Sequence, residues 1–356
     1  MTARKRRYLL YIAQNYAYAI CRPLQEEILA QGGEVTWFLE GDEVNPDYLR
    51  ENEIRLNTIE KVKQFNPDVV LVPGNVVPRF IPGLKVDIFH GFNSGKRVRR
   101  GKARHFEIRN CFDLYCTQGP QTTGPFQELA LEHRHFSVKE TGWSMLDPLF
   151  KVNHDNPYID KSDTRPTVLM CSTFSRNLTC APHLYEQVKA MSKKGNWRWL
   201  VQFHPKMPED VVEKYKQLQN DNLTFVETDN VIPLLKAADV MLCDTSSVLL
   251  MFLLQRKPVV TFKNRAPQPH LLDISQADKV EESIQLALSK PSDLMEEIEK
   301  YCQFIHPYTD GESSRRVLKA VDKMLDNGKQ LSLKRKPFNL IRELKLRKKI
   351  GYWKPW

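Results

Sequence analysis

The sequence predicts an α/β protein of two doubly wound, Rossmann-like domains facing a cleft, followed by a basic C-terminal helical tail. Three observations lead there. Short apolar runs alternate with helical or loop segments in two successive arrays. A polar stretch with two prolines, residues 151–166, separates the arrays. Residues 331–356 carry +8 of the chain's +10 net charge. Two arrays in 356 residues fit domains of about 150 residues each.

In the first array, residues 8–13, 35–39, 68–72, 86–90 and 113–117 are rich in Val, Ile, Tyr, Leu and Phe. Short apolar runs separated by crossovers read as parallel strands buried on both faces. In the second array the spacing predicts strands at 167–172, 197–203, 223–226, 239–243 and 258–262. Helices alternate with them at 182–193, 208–218, 232–237 and 246–254. Helices near 280–289, 291–304 and 313–326 close the body. The expected division is residues 1–155, residues 156–328 and a tail at 329–356.

Composition narrows the function classes. Hydrophobic residues at 41% and charged residues at 27% allow a sizeable core and argue against disorder. With the tail set aside, the body carries only +2, so a nucleic-acid-binding globule is not implied. No apolar run reaches the ~18–20 residues of a membrane span; the longest, 240–254, is broken by Asp244, Thr245, Ser246 and Ser247. Arg4–Arg7 before an apolar run, with Ala17-Tyr18-Ala19 behind it, has the outline of a signal peptide. Gln14 and Asn15 interrupt that run, and the segment is read as the first strand. Seven cysteines without paired metal spacing suit buried free thiols in a reducing cytosol.

Ligands of open parallel sheets bind beyond the carboxyl ends of the strands. Three polar groups stand at such ends: His90, followed by Gly91 and the cationic run Lys96, Arg97, Arg99, Arg100; His204, followed by Pro205 and Lys206; and Asp244, followed by Thr245, Ser246 and Ser247. Hydroxyl side chains and free N–H groups at a helix start make an anion site, or simply cap the helix. The stretch from Tyr308 to Arg316, with Asp310, Ser313 and Ser314, repeats that logic. A strand-end histidine is a base or a hydrogen-bonded structural residue, and two at equivalent places favour the former. Gly-rich nucleotide fingerprints, GxxxxGK[ST], GxSxG, HExxH and paired CxxC motifs do not occur, and His133-Arg134-His135 has no third ligand nearby.

Read in order, these pieces resemble the CDP-glycerol glycerophosphotransferase family, the teichoic-acid and capsule polymer enzymes with a GT-B-type fold. His90-Gly91 with Lys96 resembles its His-Gly-Thr-x-x-Lys segment. Thr141-Gly142-Trp143 with Asp147 resembles Gly-Tyr-Pro-Arg-x-Asp, and Ser172 to Arg176 resembles Pro-Thr-Trp-Arg. His204-Pro205 matches a His-Pro pair. The run from Ala238 to Val248 resembles Ala-Asp-x-Leu-Ile-Thr-Asp-Tyr-Ser-Ser. Lys257 to Val260 and Asp310-Gly311-x-Ser313-Ser314-Arg315 complete the set. The chain departs from the pattern at Trp143-Ser144-Met145, at Thr245 in place of Tyr, and at Met251 in place of an acidic residue.

The resemblance implies transfer of glycerol-phosphate, or a related polyol-phosphate, from a CDP-linked donor to a hydroxyl of a surface glycan or lipid-linked acceptor, with release of CMP. It makes the first domain the acceptor side and the second the donor side. His90 is the expected base, since an imidazole's ordinary pKa of ~6.5 suits proton removal near neutral pH. His204, Thr245, Ser246, Ser247, Ser313 and Ser314 are expected to hold the diphosphate. Lys96, Thr173, Arg176 and Asp310 join the donor contacts, and Asp244 either holds the ribose or orients His204. No protein-held cofactor or metal is called for, although Mg2+ bridging a diphosphate needs few protein ligands. A UDP- or CMP-linked sugar donor and a non-catalytic membrane-surface assembly role are the alternatives. In the tail, Phe338, Leu340, Ile341 and Leu344 recur at helical spacing. Lys334, Arg335, Lys336, Arg342, Lys345, Arg347, Lys348 and Lys349, with Trp353 and Trp356, are expected to meet an anionic membrane surface; the alternative is a helix that packs back on the body with a solvated charged face. The expected location is cytoplasmic, peripheral on the inner face of the cell membrane.

Overall fold

A computed structural model describes residues 4–92, 98–99, 102–152, 155–228, 230–245, 248–327 and 333–354. Lys96, Ser246, Ser247 and Trp356 lie outside these residues. The chain divides into two compact units, residues 1–148 with 304–356, and residues 149–303.

The first unit contains β1 (Arg7–Ile12), α1 (Ala17–Ala30), β2 (Glu34–Leu39), α2 (Ile59–Phe65), β3 (Val69–Val72) and β4 (Leu84–Asp87). It continues with the two-residue strands β5 (Val98–Arg99) and β6 (Lys102–Ala103), then β7 (Leu114–Thr117), α3 (Pro120–His133) and β8 (Ser137–Glu140). Six strands form one parallel sheet in the order β2-β1-β3-β4-β7-β8. β1, β3 and β7 are buried along nearly their whole length, as the unbroken apolar runs require. Helix starts follow local chemistry. Thr58 Oγ1 accepts the Lys61 N–H at 3.2 Å to cap α2, and Pro120 occupies the first turn of α3. Gly119 precedes that turn because a Cβ there would lie 2.3 Å from the Ile305 carbonyl oxygen.

A one-turn helix, α4 (Asp147–Phe150), spans the boundary between the units. The second unit runs β9 (Thr167–Ser172), α5 (Ala181–Lys194), β10 (Arg198–Phe203), α6 (Glu209–Lys216), β11 (Leu223–Phe225), α7 (Ile232–Ala237) and β12 (Val240–Cys243). It ends with α8 (Val248–Leu253), β13 (Val259–Phe262), β14 (Leu272–Ile274), α9 (Val280–Leu288) and most of α10 (Ser292–Ile305). Its parallel sheet has the order β11-β10-β9-β12-β13-β14. That is the 3-2-1-4-5-6 order of a Rossmann fold. Val168, Met170, Leu242 and Val260 pack with Trp199 and Tyr215 in its core.

Three expectations need correction. The strand expected at 86–90 stops at Asp87, because Phe89 takes φ 57° and turns the chain. β8 is mostly polar and β14 is only three residues long and split by Asp273; both are only partly buried, so neither forms an apolar run. The chain also returns to the first unit at Phe304. There α11 (Ser313–Asn327) buries Val317, Leu318 and Val321 and packs on α1 and β7, instead of closing the second domain.

The tail forms α12 (Leu340–Ile350), capped by Asn339 and ended by Gly351 at φ 72°. It docks on the first unit through Glu343, Leu346, Arg347 and Tyr352, all buried. Several cations expected at a membrane are used in this docking. Lys336 pairs with Asp113 at 2.8 Å and Lys349 with Glu40 at 2.7 Å; Arg342 donates to the Arg109 carbonyl. Arg347 lies 4.7 Å from the Phe80 ring and donates to the Lys354 carbonyl at 2.8 Å. Lys334, Arg335, Lys345 and Lys348 form no ion pair among the described residues.

Candidate active site

A parallel sheet opens a ligand crevice where its strand order reverses. In the first sheet that point lies between β1 and β3, and in the second between β9 and β12.

His90 reaches the first of these points through a braced turn. The Asp87 carboxylate, buried at the end of β4, accepts the Phe89 N–H at 2.8 Å. The Trp143 indole donates to the Phe89 carbonyl at 3.2 Å, and the Trp143 backbone N–H donates to His306 Nε2 at 2.9 Å. Gly142 makes that last contact feasible. It has φ 78°, and a Cβ would stand 2.5 Å from Ser313 Oγ and 3.0 Å from His306 Nε2.

The imidazole so presented is exposed, with Nδ1 3.2 Å from the Pro73 carbonyl just past β3. The Tyr16 ring, just past β1, has its centroid 6.0 Å away. A carbonyl oxygen only accepts, so Nδ1 carries the proton in the neutral ring. Burial pushes the Asp87 carboxyl up to about 8 and the His105 imidazole, 5.3 Å from the Phe89 ring, down to about 4.

The second switch point is organised by Asp244. Its side chain is fully buried, accepts from Ser172 Oγ at 2.6 Å, and binds the backbone N–H groups of Thr173 at 3.0 Å and Cys180 at 3.1 Å. Burial raises its pKa while those donors pull it down. Asp244 thus ties both ends of the 173–180 loop to the end of β12, and His204 is not among these partners. The loop carries Thr173, the exposed Arg176 and Phe174, whose ring centroid lies 4.5 Å from that of His204. His204 Nδ1 accepts the Lys206 N–H at 3.0 Å, so its Nε2 carries the proton in the neutral ring. Partial burial and the Lys206 charge lower its pKa. Thr245 Oγ1 accepts the Arg265 N–H at 3.2 Å. Thr173, His204, Asp244 and Thr245 therefore cluster at the carboxyl end of one sheet, as expected.

Asp310, Ser313 and Ser314 are not part of this sheet's unit. They belong to the first unit, where the Asp147 carboxylate accepts the N–H groups of Ser313 at 2.8 Å and Ser314 at 2.7 Å. Both serines are buried, so the start of α11 is filled by the chain's own carboxylate and not left for a phosphate. Asp310 pairs with Arg316, whose guanidinium lies 4.0 Å from the Tyr308 ring. Sequence reasoning missed His306, Asp87 and Phe174. The first sits in a His306-Pro307 pair like His204-Pro205, which was the available signal. Among the described residues no cluster of three metal-ligating side chains occurs.

Two Rossmann-like units in one chain define a GT-B-like α/β fold. Solved structures similar to this chain include S. aureus MnaA with UDP (16% identity, TM-score 0.60), covering 94% of this chain and 100% of that one. The wall teichoic acid polymerase TagF is similar at 15% identity and TM-score 0.63, covering 92% of this chain and 90% of that one. A TagF variant soaked with CDPG is similar at 13% identity and TM-score 0.61, covering 91% and 90%. At these identities the likeness establishes the fold. No family model matches the chain, and no curated protein matches it. No helix of the described residues is long and apolar enough to cross a membrane.

Proposed function

We propose that the chain transfers a polyol-phosphate, glycerol-phosphate in the first instance, from a CDP-linked donor to a hydroxyl of a lipid-linked or surface-glycan acceptor at the inner membrane face. The observation that carries this reading is His90 at the first sheet's switch point, with Nδ1 committed to the Pro73 carbonyl. Nε2 takes the acceptor's hydroxyl proton as its oxygen attacks the phosphorus that bears the polyol. The bond from that phosphorus to the bridging oxygen breaks, and CMP leaves. The second unit supplies the nucleotide grip. Thr173 and Arg176 meet the phosphates, Phe174 offers its ring to the base, and His204 donates from Nε2 to the leaving phosphate. The similarity to TagF soaked with CDPG supports the donor class.

A nucleotide-sugar donor is the second reading, favoured by the similarity to MnaA with UDP and by Trp143-Ser144-Met145 in place of the family's Tyr-Pro-Arg. Incubating the protein with CDP-polyols and UDP- and CMP-sugars, with and without a chelator, and measuring nucleotide release separates the two. CMP from CDP-glycerol alone supports the first reading, and UDP or CMP from a sugar donor supports the second. No release, with no thermal shift by cytidine nucleotides, rejects both in favour of a non-catalytic role. Loss of CMP release with chelator assigns Mg2+ to the diphosphate.

A further inference from the structure

α12 docks with an unexpected face inward. Glu343 and Arg347 are buried with Leu346, while Leu340 is 52% exposed, Ile341 68% and Leu344 42%. Three aliphatic side chains on one face of a docked helix, left in water, mark an interaction surface. Trp353, 60% exposed, follows in sequence, and the unpaired Lys345 and Lys348 alternate with the aliphatic positions.

Immediately before this helix, an open groove of about 710 Å³ is lined by Lys63, Arg79, Phe80, Arg335, Lys336 and Phe338. Four of the six are cations and none is acidic. Lys336 already pairs with Asp113. The Lys63 ammonium lies 5.1 Å from the Tyr352 ring and the Arg79 guanidinium 5.5 Å from the Phe338 ring, so aromatic faces hold both in place without neutralising them.

We propose that this groove and the outward face of α12 form one dock for an anionic lipid bilayer. Lipid phosphates sit among Lys63, Arg79 and Arg335, and Leu340, Ile341 and Leu344 enter the apolar boundary beneath the headgroups. Charge complementarity selects this occupant. A second copy of the chain would bring the same cations against each other, and a nucleic acid would leave the aliphatic face in water. The dock lies wholly within the first unit, and it refines the membrane location in the proposed function without depending on the donor chemistry, since lipid binding and turnover fail separately.

The test is co-sedimentation of the full chain with vesicles of phosphatidylcholine alone or with an equal part of phosphatidylglycerol, at low and high salt. Two double variants accompany it: Lys63→Glu with Arg335→Glu, and Ile341→Ser with Leu344→Ser. All four positions are exposed, so unchanged melting temperatures are expected for both variants. The chain should bind the anionic vesicles at least about tenfold better than the neutral ones, and less so in high salt. Each double variant should lose about tenfold, the first by losing its salt dependence and the second while retaining it. Equal binding to neutral vesicles, or variants that bind like the parent, would overturn the proposal. So would a dimer dissociated by the serine variant, or RNA bound in preference to vesicles.

Discussion

The Asp147 carboxylate accepts the backbone N–H of Ser314, 167 residues further along the chain, at 2.7 Å. It also takes the Ser313 N–H, so one buried side chain at the end of the first βα array caps the helix that the chain forms on its return. Two buried N–H groups bound to a carboxylate are a substantial local stabilisation. Asp147→Ala should lower stability by about 2–3 kcal/mol. Denaturant unfolding measures this, and donor KM should not change. An unchanged melt with a raised donor KM would return Ser313 and Ser314 to the donor site.

The second prediction concerns pH. Asp87 titrates near 8 in the folded protein, well above the ordinary ~4 of a carboxyl. Its protonated form is favoured by folding, so this contribution is fully present below about pH 4 and is lost as pH rises towards 8. Asp87→Asn keeps an acceptor for the Phe89 N–H and removes the titration. The melting temperature of the variant should therefore gain on that of the parent from pH 5 to pH 9. Curves that stay parallel would reject the shift.

His90 is exposed, so its replacement should spare the fold. On the proposed reaction, His90→Ala should lower kcat by roughly 10²- to 10⁴-fold, the usual loss of a general base, with donor binding nearly intact. Wild-type turnover in the variant would remove the base assignment.

Asp244→Ala leaves the Thr173 and Cys180 N–H groups and the Ser172 hydroxyl without their shared acceptor. The expected loss is on the order of 3 kcal/mol or more, read by thermal or denaturant unfolding. Because the 173–180 loop is released, donor affinity should fall with stability. Asp244→Asn, which restores one acceptor oxygen, should recover part of both.

The two arrays of parallel strands, and the placement of His204 and Asp244 at strand ends, were legible because burial on both faces imposes unbroken apolar runs. Polar residues that close such runs must then lie at the sheet's rim. Position along a strand is local information. Edge strands such as Ser137–Glu140 were not legible, since half their surface meets solvent and they carry no apolar run.

Which group each polar residue meets is not local. Ser313 and Ser314 have the composition of a phosphate-binding helix start, and Asp147 fills it because the chain folds back at Phe304. His306 pairs with the Trp143 N–H across 163 residues for the same reason. The tail shows the contrast most directly. Its helical spacing of apolar residues specified an amphipathic helix. The rotation of that helix was decided by partners elsewhere in the chain: Glu40 for Lys349, the Arg79 N–H for Glu343 and the Phe80 ring for Arg347. Periodicity determines that a face exists, because side-chain directions follow from the backbone. Only the tertiary contacts determine which face is covered, because satisfying buried charges outweighs burying three exposed aliphatic side chains.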